Sequence, residues 1–270
     1  MNYLTLSKRI PSHEAAALVE HFTGHSQSWC LLNREAELPP TIDNALTQLE
    51  SGIPLQYITG KAWFCGERYL VSPACLIPQP DTEHIVEIAA RHLRPGMKLL
   101  DLCTGSGCIA IALLLRVPNT TAIAVDISDD ALKIASQNAA LHHMEARLTL
   151  RNADVLNDPH IPDLIAEADI ITANPPYINS DVIDTLPTDV RHEPRLALDG
   201  GSDGMDFYRR FIEYARTLSH GVMVLEIGYD QADRIRALCE EAALSCRIHK
   251  DFGGNDRAAE IFSDKSSPSA

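Results

Sequence analysis

The chain has 270 residues, 45% hydrophobic and 22% charged, so it can bury a substantial core and exceeds the size of most single domains. A formal net charge of −14 repels phosphate backbones and argues against general nucleic-acid binding. Seven cysteines, at 30, 65, 75, 103, 108, 239 and 246, make no C-x-x-C pair and no metal spacing, which fits buried thiols in a reducing compartment and no metal site.

The N-terminus has neither an apolar signal core nor transit-peptide character, and no apolar run is long enough to span a bilayer. A cytoplasmic protein that makes no membrane contact is expected. Residues 1–75 hold five Lys+Arg against seven Asp+Glu, and the remainder eighteen against thirty, so the first part repels anions less.

In chain order, "SHEAAALVEHFT" at 12–23 predicts a helix capped by Ser12 and ended by Gly24. "PTIDNALTQLES" at 40–51 predicts a second, ended by Gly52. The aromatic and β-branched stretch "PLQYITGKAWFCGERYLVSPACLIPQP" predicts a hairpin or two extended strands, with Trp63 and Phe64 in its core. A Pro-punctuated loop with Pro78 and Pro80 follows, then a helix near Asp81 that Thr82 and Glu83 can cap. The expected boundary separates a helical substrate-docking part with its hairpin linker, 1–75, from a second domain, 76–270.

From Met97 strands and helices alternate: "MKLLDL", "CIAIALLLR", "TAIAVD", then "SDDALKIASQNAALHH" capped by Ser128. "ARLTLRNAD" and "ADIITA" read as strands, "GMDFYRRFIEYARTLS" as a helix, "GVMVLEIG" as a strand and "DQADRIRALCEEA" as a helix. "SCRIHKD" and "AAEIFS", joined at "FGGND", predict an antiparallel edge, and the tail "SDKSSPSA" reads as disordered. The alternation implies an α/β doubly wound, mostly parallel sheet. His142 and His143 read as a solvated helix end.

Two segments carry chemistry. In "LLDLCTGSGCIAIAL" a strand ends at Asp101, and Cys103, Thr104, Gly105, Ser106 and Gly107 lead into a helix whose N-terminal N–H groups are free. Asp126 ends the next strand, where a carboxylate can accept from both ribose hydroxyls. The pattern Gly105-x-Gly107-x-x-Ala110 admits NAD, and it also admits S-adenosylmethionine. Asp101 would repel a pyrophosphate and suit a sulfonium and an amino group. Asp154, ending the third strand, can accept from an adenine amine beside Val155, or can be a turn residue.

The second segment is "ADIITANPPYIN". Asn174 ends the fourth parallel strand. Pro175 and Pro176 stiffen the turn and remove N–H donors, which leaves acceptors, and Tyr177 offers a flat face. Two acceptors and a flat face suit a planar NH₂. They hold its nitrogen and stabilise the positive charge that develops as it attacks a methyl sulfonium. Beside the glycine loop, the turn reads as methyl transfer to a planar nitrogen.

On "PLQYITG", "FCGERYLVSPACLIPQPDTE", "DLCTGSGCIAIAL", "AVDIS", "NPPYI", "EPRLALDGGSDGM", "LEIG" and "DFGGNDR", nearly the whole chain resembles the N5-glutamine methyltransferases of peptide chain release factors (HemK/PrmC type). The resemblance implies a class I methyltransferase domain with a seven-stranded Rossmann-like sheet and a helical N-terminal domain. It implies methylation of the glutamine in the Gly-Gly-Gln tripeptide of release factors, so that S-adenosylmethionine leaves as S-adenosylhomocysteine. It implies cofactor contacts at Cys103 to Gly107, Asp126, Val155 and Asn174, with Asn174, Pro175, Pro176 and Tyr177 holding the glutamine. The chain departs from the family at Gln79, usually Arg, at Cys103, usually Gly, and at Val155, a slot that can be aromatic. Glu193, in "RHEPRLAL", is read as ordering its loop. The Asn-Pro-Pro-Tyr turn is shared with adenine-N6 methyltransferases of DNA or RNA, the alternative reading, which needs a basic track. A second rival is a non-catalytic binding protein, against which intact Asn174 and Tyr177 argue.

Overall fold

The computed structural model describes residues 1–218, 221–251 and 253–263. The expected disordered tail at 264–270, and Phe252 of the expected edge turn, lie outside them. The chain divides into two compact units: Met1–Lys61 with Pro187–His192, and Ala62–Leu186 with Glu193 onward.

The first unit is helical: Tyr3–Leu6, Ser12–Thr23, Gln27–Leu32, Thr41–Glu50, Leu55–Thr59 and Thr188–Arg191. Its core gathers Leu6, Leu18, Val19, Ile42 and Leu46 from successive helices. Gly24 ends the second helix in a left-handed conformation, as expected, and its amide donates to Glu20. Ser12 is not the cap: Pro11 occupies that position, and Ser12 is already helical. The stretch expected as a hairpin or two extended strands opens with the helix Leu55–Thr59 before its hairpin.

The hairpin strands β1 (Lys61–Phe64) and β2 (Glu67–Leu70) pair with each other, and from Ala62 onward the hairpin groups with the second unit. The division thus falls within the first residues of the hairpin. Packing explains this. Phe64 and Tyr69 are buried in the same cluster as Ile85, Val86, Ile109 and Leu113. Trp63, expected beside them in the core, is 70% exposed, because alternate strand residues face opposite ways.

The seven sheet strands are β3 (Lys98–Leu102), β4 (Thr121–Asp126), β5 (Leu148–Asn152), β6 (Ile170–Ala173), β7 (Val222–Glu226), β8 (Leu244–Lys250) and β9 (Asp256–Ser263). Their spatial order is β5-β4-β3-β6-β7-β9-β8. β3 to β7 are parallel, and β9 runs antiparallel to both β7 and β8, the expected edge. Every residue of β6 and β7 is buried, as continuous apolar strands covered on both faces must be. The helix Cys108–Arg116 is buried along nearly its whole length for the same reason. Ser128 caps Asp129–Leu141 by accepting from the Ala131 amide. No helix among the described residues is long and apolar enough to cross a membrane.

This topology fixes where a site can form. The chain runs outward through β3, β4 and β5, then returns to place β6 on the other side of β3. Ligands bind at the carboxyl ends of strands where the order reverses in this way. The pairing Leu102↔Ala173 brings the two strand tips level, so Cys103 and Asn174 leave the sheet side by side.

Candidate active site

A cleft of about 550 Å³ lies at these strand tips. Cys103, Thr104, Gly105 and Ser106 line it, with Asp126, Asp154, Val155, Asn174 and Pro176. Of the expected residues, Gly107, Pro175 and Tyr177 are outside its wall.

The glycine loop is held by its own strand and the next. Thr104 donates its amide to the Val125 carbonyl at 3.0 Å, and Gly105 donates its amide to Asp126 Oδ2 at 2.8 Å. Asp126 Oδ1 accepts from the Ser128 amide at 2.9 Å, so this carboxylate braces the loop while still facing the cleft. Burial pushes its pKa up, against the pull of those amides. The two glycines differ. Gly105 has φ +54 and open space where a Cβ would stand, whereas a Cβ on Gly107, at φ +80, would meet Ala135 at 3.2 Å and Ile111 at 3.3 Å. Gly105 therefore permits approach from the cleft, and Gly107 permits close packing of helices. Cys103 takes φ +57, the left-handed region where glycine is easiest. Burial and the nearby carboxylates of Asp126, Asp101 and Asp154 hold its thiol protonated.

Asp101 does not do what was expected of it. It is fully buried, and its oxygens accept from Thr104 Oγ1 at 2.5 Å and Thr172 Oγ1 at 2.6 Å. Burial raises its pKa to about 6 although both hydroxyls pull it down. It ties β3, β6 and the loop together and does not line the cleft. The charged residues that do line the cleft are Asp126, Asp154, Asp199, Asp206 and Arg195, and Arg195 is engaged by Asp184 and Asp199. Such a wall suits a cationic ligand better than a pyrophosphate.

Asp154 sits at the rim as a turn residue: its oxygens accept from the Leu156 amide and from Asn157 Nδ2. Val155 is buried behind it, and its carbonyl accepts from the Tyr214 hydroxyl.

The Asn174 turn is held from farther away. Asn174 Nδ2 donates to Thr82 Oγ1 at 3.1 Å. Among the described residues neither the Pro175 nor the Pro176 carbonyl accepts a backbone hydrogen bond. Gln231 Nε2 donates to the Tyr177 and Gly204 carbonyls, both at 3.0 Å. A Cβ on Gly200 would lie 2.7 Å from Tyr177 Cα, and one on Gly204 would lie 2.4 Å from the Tyr177 oxygen. The glycines of "LALDGGSDGM" thus let that segment lie directly on the turn. The Tyr177 ring, expected as an open stacking face, is partly buried against the core, and its hydroxyl donates to Glu226 Oε1 at 3.3 Å. The hydroxyl is thus tied to a buried acceptor, and Tyr177 is not among the residues that line the cleft.

Other expectations change similarly. Thr82 and Glu83 do not cap their helix. Thr82 Oγ1 donates to Glu226 Oε2 at 2.6 Å, and Glu83 accepts from the Cys65 amide, anchoring the hairpin. Glu193 does order its loop, accepting from the Ile77 amide at 2.9 Å. His143 is exposed at the helix end, as expected, while the half-buried His142 beside it donates Nε2 to the Arg68 carbonyl. Gln79 lines the cleft and is exposed. Two residues escaped the sequence reading. Asn138, fully buried, bonds both the Leu70 backbone groups and the Ser106 carbonyl. Glu226, in "LEIG", is 2% exposed, and a charged residue ending an otherwise apolar strand was the available signal. No metal-holding group of His, Cys, Asp and Glu occurs among the described residues.

Known proteins resemble the chain throughout. The family model of ribosomal protein L11 methyltransferase matches residues 79–197, and that of the PrmC N-terminal domain matches residues 4–60. The release factor glutamine methyltransferase of Moorella thermoacetica is 38% identical over 257 residues, 92% of this chain and 89% of that one. The ribosomal protein uL3 glutamine methyltransferase of Bordetella pertussis is 40% identical over 196 residues, 70% of this chain and 63% of that one. Among solved structures, the hMettl16 catalytic domain in complex with MAT2A 3'UTR hairpin 6 has a TM-score of 0.56 at 15% identity, covering 74% of this chain and 77% of that one. That likeness shows the methyltransferase fold.

Proposed function

The chain belongs to the release factor glutamine methyltransferases, and from that premise we propose that it methylates the side-chain amide nitrogen of the glutamine in the Gly-Gly-Gln tripeptide of peptide chain release factors. The observation that carries this reading is the adjacency of Asn174 to the 103–107 loop in one acid-lined cleft.

The donor set fits S-adenosylmethionine. Asp126 presents a partly exposed carboxylate for ribose hydroxyls, Gly105 leaves space above the loop, Val155 and Leu156 offer an apolar wall, and the aspartates suit a cation. We assign Cys103 to Ser106, Asp126, Asp154, Val155 and Asn174 to holding it, with Gly107 seating the loop on its helix. When bound, it supplies an electrophilic methyl group on a sulfonium.

The remaining chemistry belongs to the chain. Asn174 Oδ1 and a proline carbonyl each accept one N–H of the substrate amide. This holds its nitrogen toward the loop and stabilises the charge that develops on it. The proline carbonyls have no competing amide, and their rigid rings keep them in place. Tyr177 supports the turn from behind through Glu226. Nothing needs to remove a proton beforehand, because an alkylated amide nitrogen is acidic. We assign protein docking to the helical unit, which the PrmC N-terminal domain model matches, and place the reaction in the cytoplasm, where release factors act.

The test is incubation with methyl-labelled S-adenosylmethionine and a release factor. Label on the wild-type factor and none on its tripeptide Gln→Ala variant is the expected result. Equal labelling of both, or labelling of uL3 instead, would overturn the assignment.

A further inference from the structure

Behind the Asn174 turn, four side chains form one hydrogen-bonded chain, and their chemistry dictates its direction. Glu226 ends β7 fully enclosed, and an ionised carboxylate can only accept. Thr82 Oγ1 and the Tyr177 hydroxyl both point at it. Thr82 is itself buried and has a single hydroxyl proton, which goes to Glu226. Its oxygen then has only lone pairs to offer Asn174. The NH₂ end of the carboxamide can use a lone pair and the oxygen end cannot, so Nδ2 turns to Thr82. Oδ1 is left for the cleft that Asn174 lines.

We propose that Glu226 and Thr82 are positioning residues that set the rotation of the Asn174 carboxamide, so that its oxygen, not its nitrogen, meets the substrate amide. The inference rests on the reading of the cleft given above. In the opposite rotation Asn174 would point NH₂ at NH₂, losing an acceptor and opposing two donors.

The same chain reverses when Glu226 gains a proton. A neutral carboxyl can donate to Thr82, whose own proton is then free to turn to Asn174, and Asn174 accepts it only through Oδ1. The groups that face Glu226 are Tyr177 on the turn, Asp81 beside Thr82, Arg257 on β9 and Tyr208, whose hydroxyl donates to the Glu226 main-chain carbonyl at 2.9 Å. Burial raises the Glu226 pKa to about 7, Asp81 adding to it, while Thr82, Arg257 and Tyr177 lower it. The reversal therefore falls near neutral pH.

Selective ¹⁵N labelling of asparagine side chains in the full chain tests this, with the Asn174 NH₂ pair assigned by its loss in Asn174→Ala. The pair should titrate near neutrality in the wild type and not in Glu226→Gln, which cannot change protonation. In Thr82→Val it should sit at the free-amide position at every pH, and in Thr82→Ser at the wild-type position. Thr82→Val should lower kcat about tenfold or more with KM within about twofold, and Thr82→Ser should restore it. A Thr82→Val pair identical to wild type overturns the proposal. A wild-type chain that leaves release factor unlabelled sinks the earlier reading instead, and the NMR result alone still decides this one.

Discussion

The two turns that face the cleft are built differently. The loop 103–107 is braced mostly by nearby chain, by Asp101 three residues before Thr104 and by the tips of β3 and β4, with Asn138 of the helix Asp129–Leu141 holding the Ser106 carbonyl. The turn 174–177 is braced remotely, by Thr82, Gly200, Gly204, Glu226 and Gln231. A local brace follows from a short motif. A remote brace depends on the whole sheet being assembled, so mutations far along the chain should disturb methyl transfer more than cofactor binding.

The largest expected effect separates the two turns directly. Asn174→Ala removes an acceptor that matters most as charge develops, and should lower kcat by about 10²–10³, the usual size for one preorganised group. Binding of S-adenosylmethionine by calorimetry should change far less, because Asp126 and the loop remain. A proportional loss of cofactor affinity with unchanged turnover of bound substrate would contradict the role.

Next come the glycines. In Gly200→Ala the new Cβ would meet Tyr177 backbone atoms at 2.7–2.9 Å, and backbone cannot give way cheaply. A displacement of the turn approaching 1 Å should lower kcat by up to about 10²-fold. In Gly105→Ala the Cβ meets nothing, so only the left-handed strain of about 1–2 kcal/mol remains, together with crowding of the cleft. Kinetics should show the first as a kcat defect and the second as a cofactor-affinity defect. Interchanged defects would dissolve the distinction between the turns.

How much of this could be read from the chain follows the same division. The β/α alternation from residue 97 and the strand-end positions of Asp126 and Asn174 followed from periodicity and glycine placement, because those signals are local. The helices Tyr3–Leu6, Gln27–Leu32 and Leu55–Thr59 are too short to show a repeat. Trp63 was misplaced because Ala62, Trp63 and Phe64 are all apolar, so a four-residue strand does not show in its sequence which face turns inward. Thr82 resembled a cap because nothing near it in sequence reveals Glu226, 144 residues away. Asp101 was given to the ligand because its two threonine partners, one of them on β6, were not identified as neighbours.

Two carboxylates on adjacent strands sharpen the remote half of the comparison through pH. Glu226 and Glu260 are equally buried, on β7 and β9. Burial raises Glu226 to about 7, above its ordinary 4.5. Burial would raise Glu260 too, but hydrogen bonds from His92 and His249 overcome this and bring it to about 2. The signs are opposite. Glu226 contributes most below pH 4.5, and that contribution fades as pH rises through about 7. Glu260 contributes fully above pH 4.5, and that contribution fades as pH falls toward about 2. Thermal unfolding across pH should therefore lose its neutral-side slope in Glu226→Gln and its acid-side slope in Glu260→Gln. Two variants with parallel profiles would refute the assignment of those slopes.

The smallest effect lies in the local turn, at Cys103. Its φ of +57 costs a non-glycine residue about 1–2 kcal/mol, which glycine would recover. Glycine also frees the unfolded chain by about 0.4–1 kcal/mol and gives up the thiol's packing, so the net change should stay below about 1 kcal/mol. A β-branched side chain fits this conformation worst. The melting order should therefore be Cys103→Gly at or above wild type, with Cys103→Val clearly below both. Cofactor affinity should follow the same order, because Cys103 lines the cleft and a bulkier group would narrow it. A glycine variant that melts lowest of the three would mean that thiol packing, not backbone conformation, sets the energy of this loop.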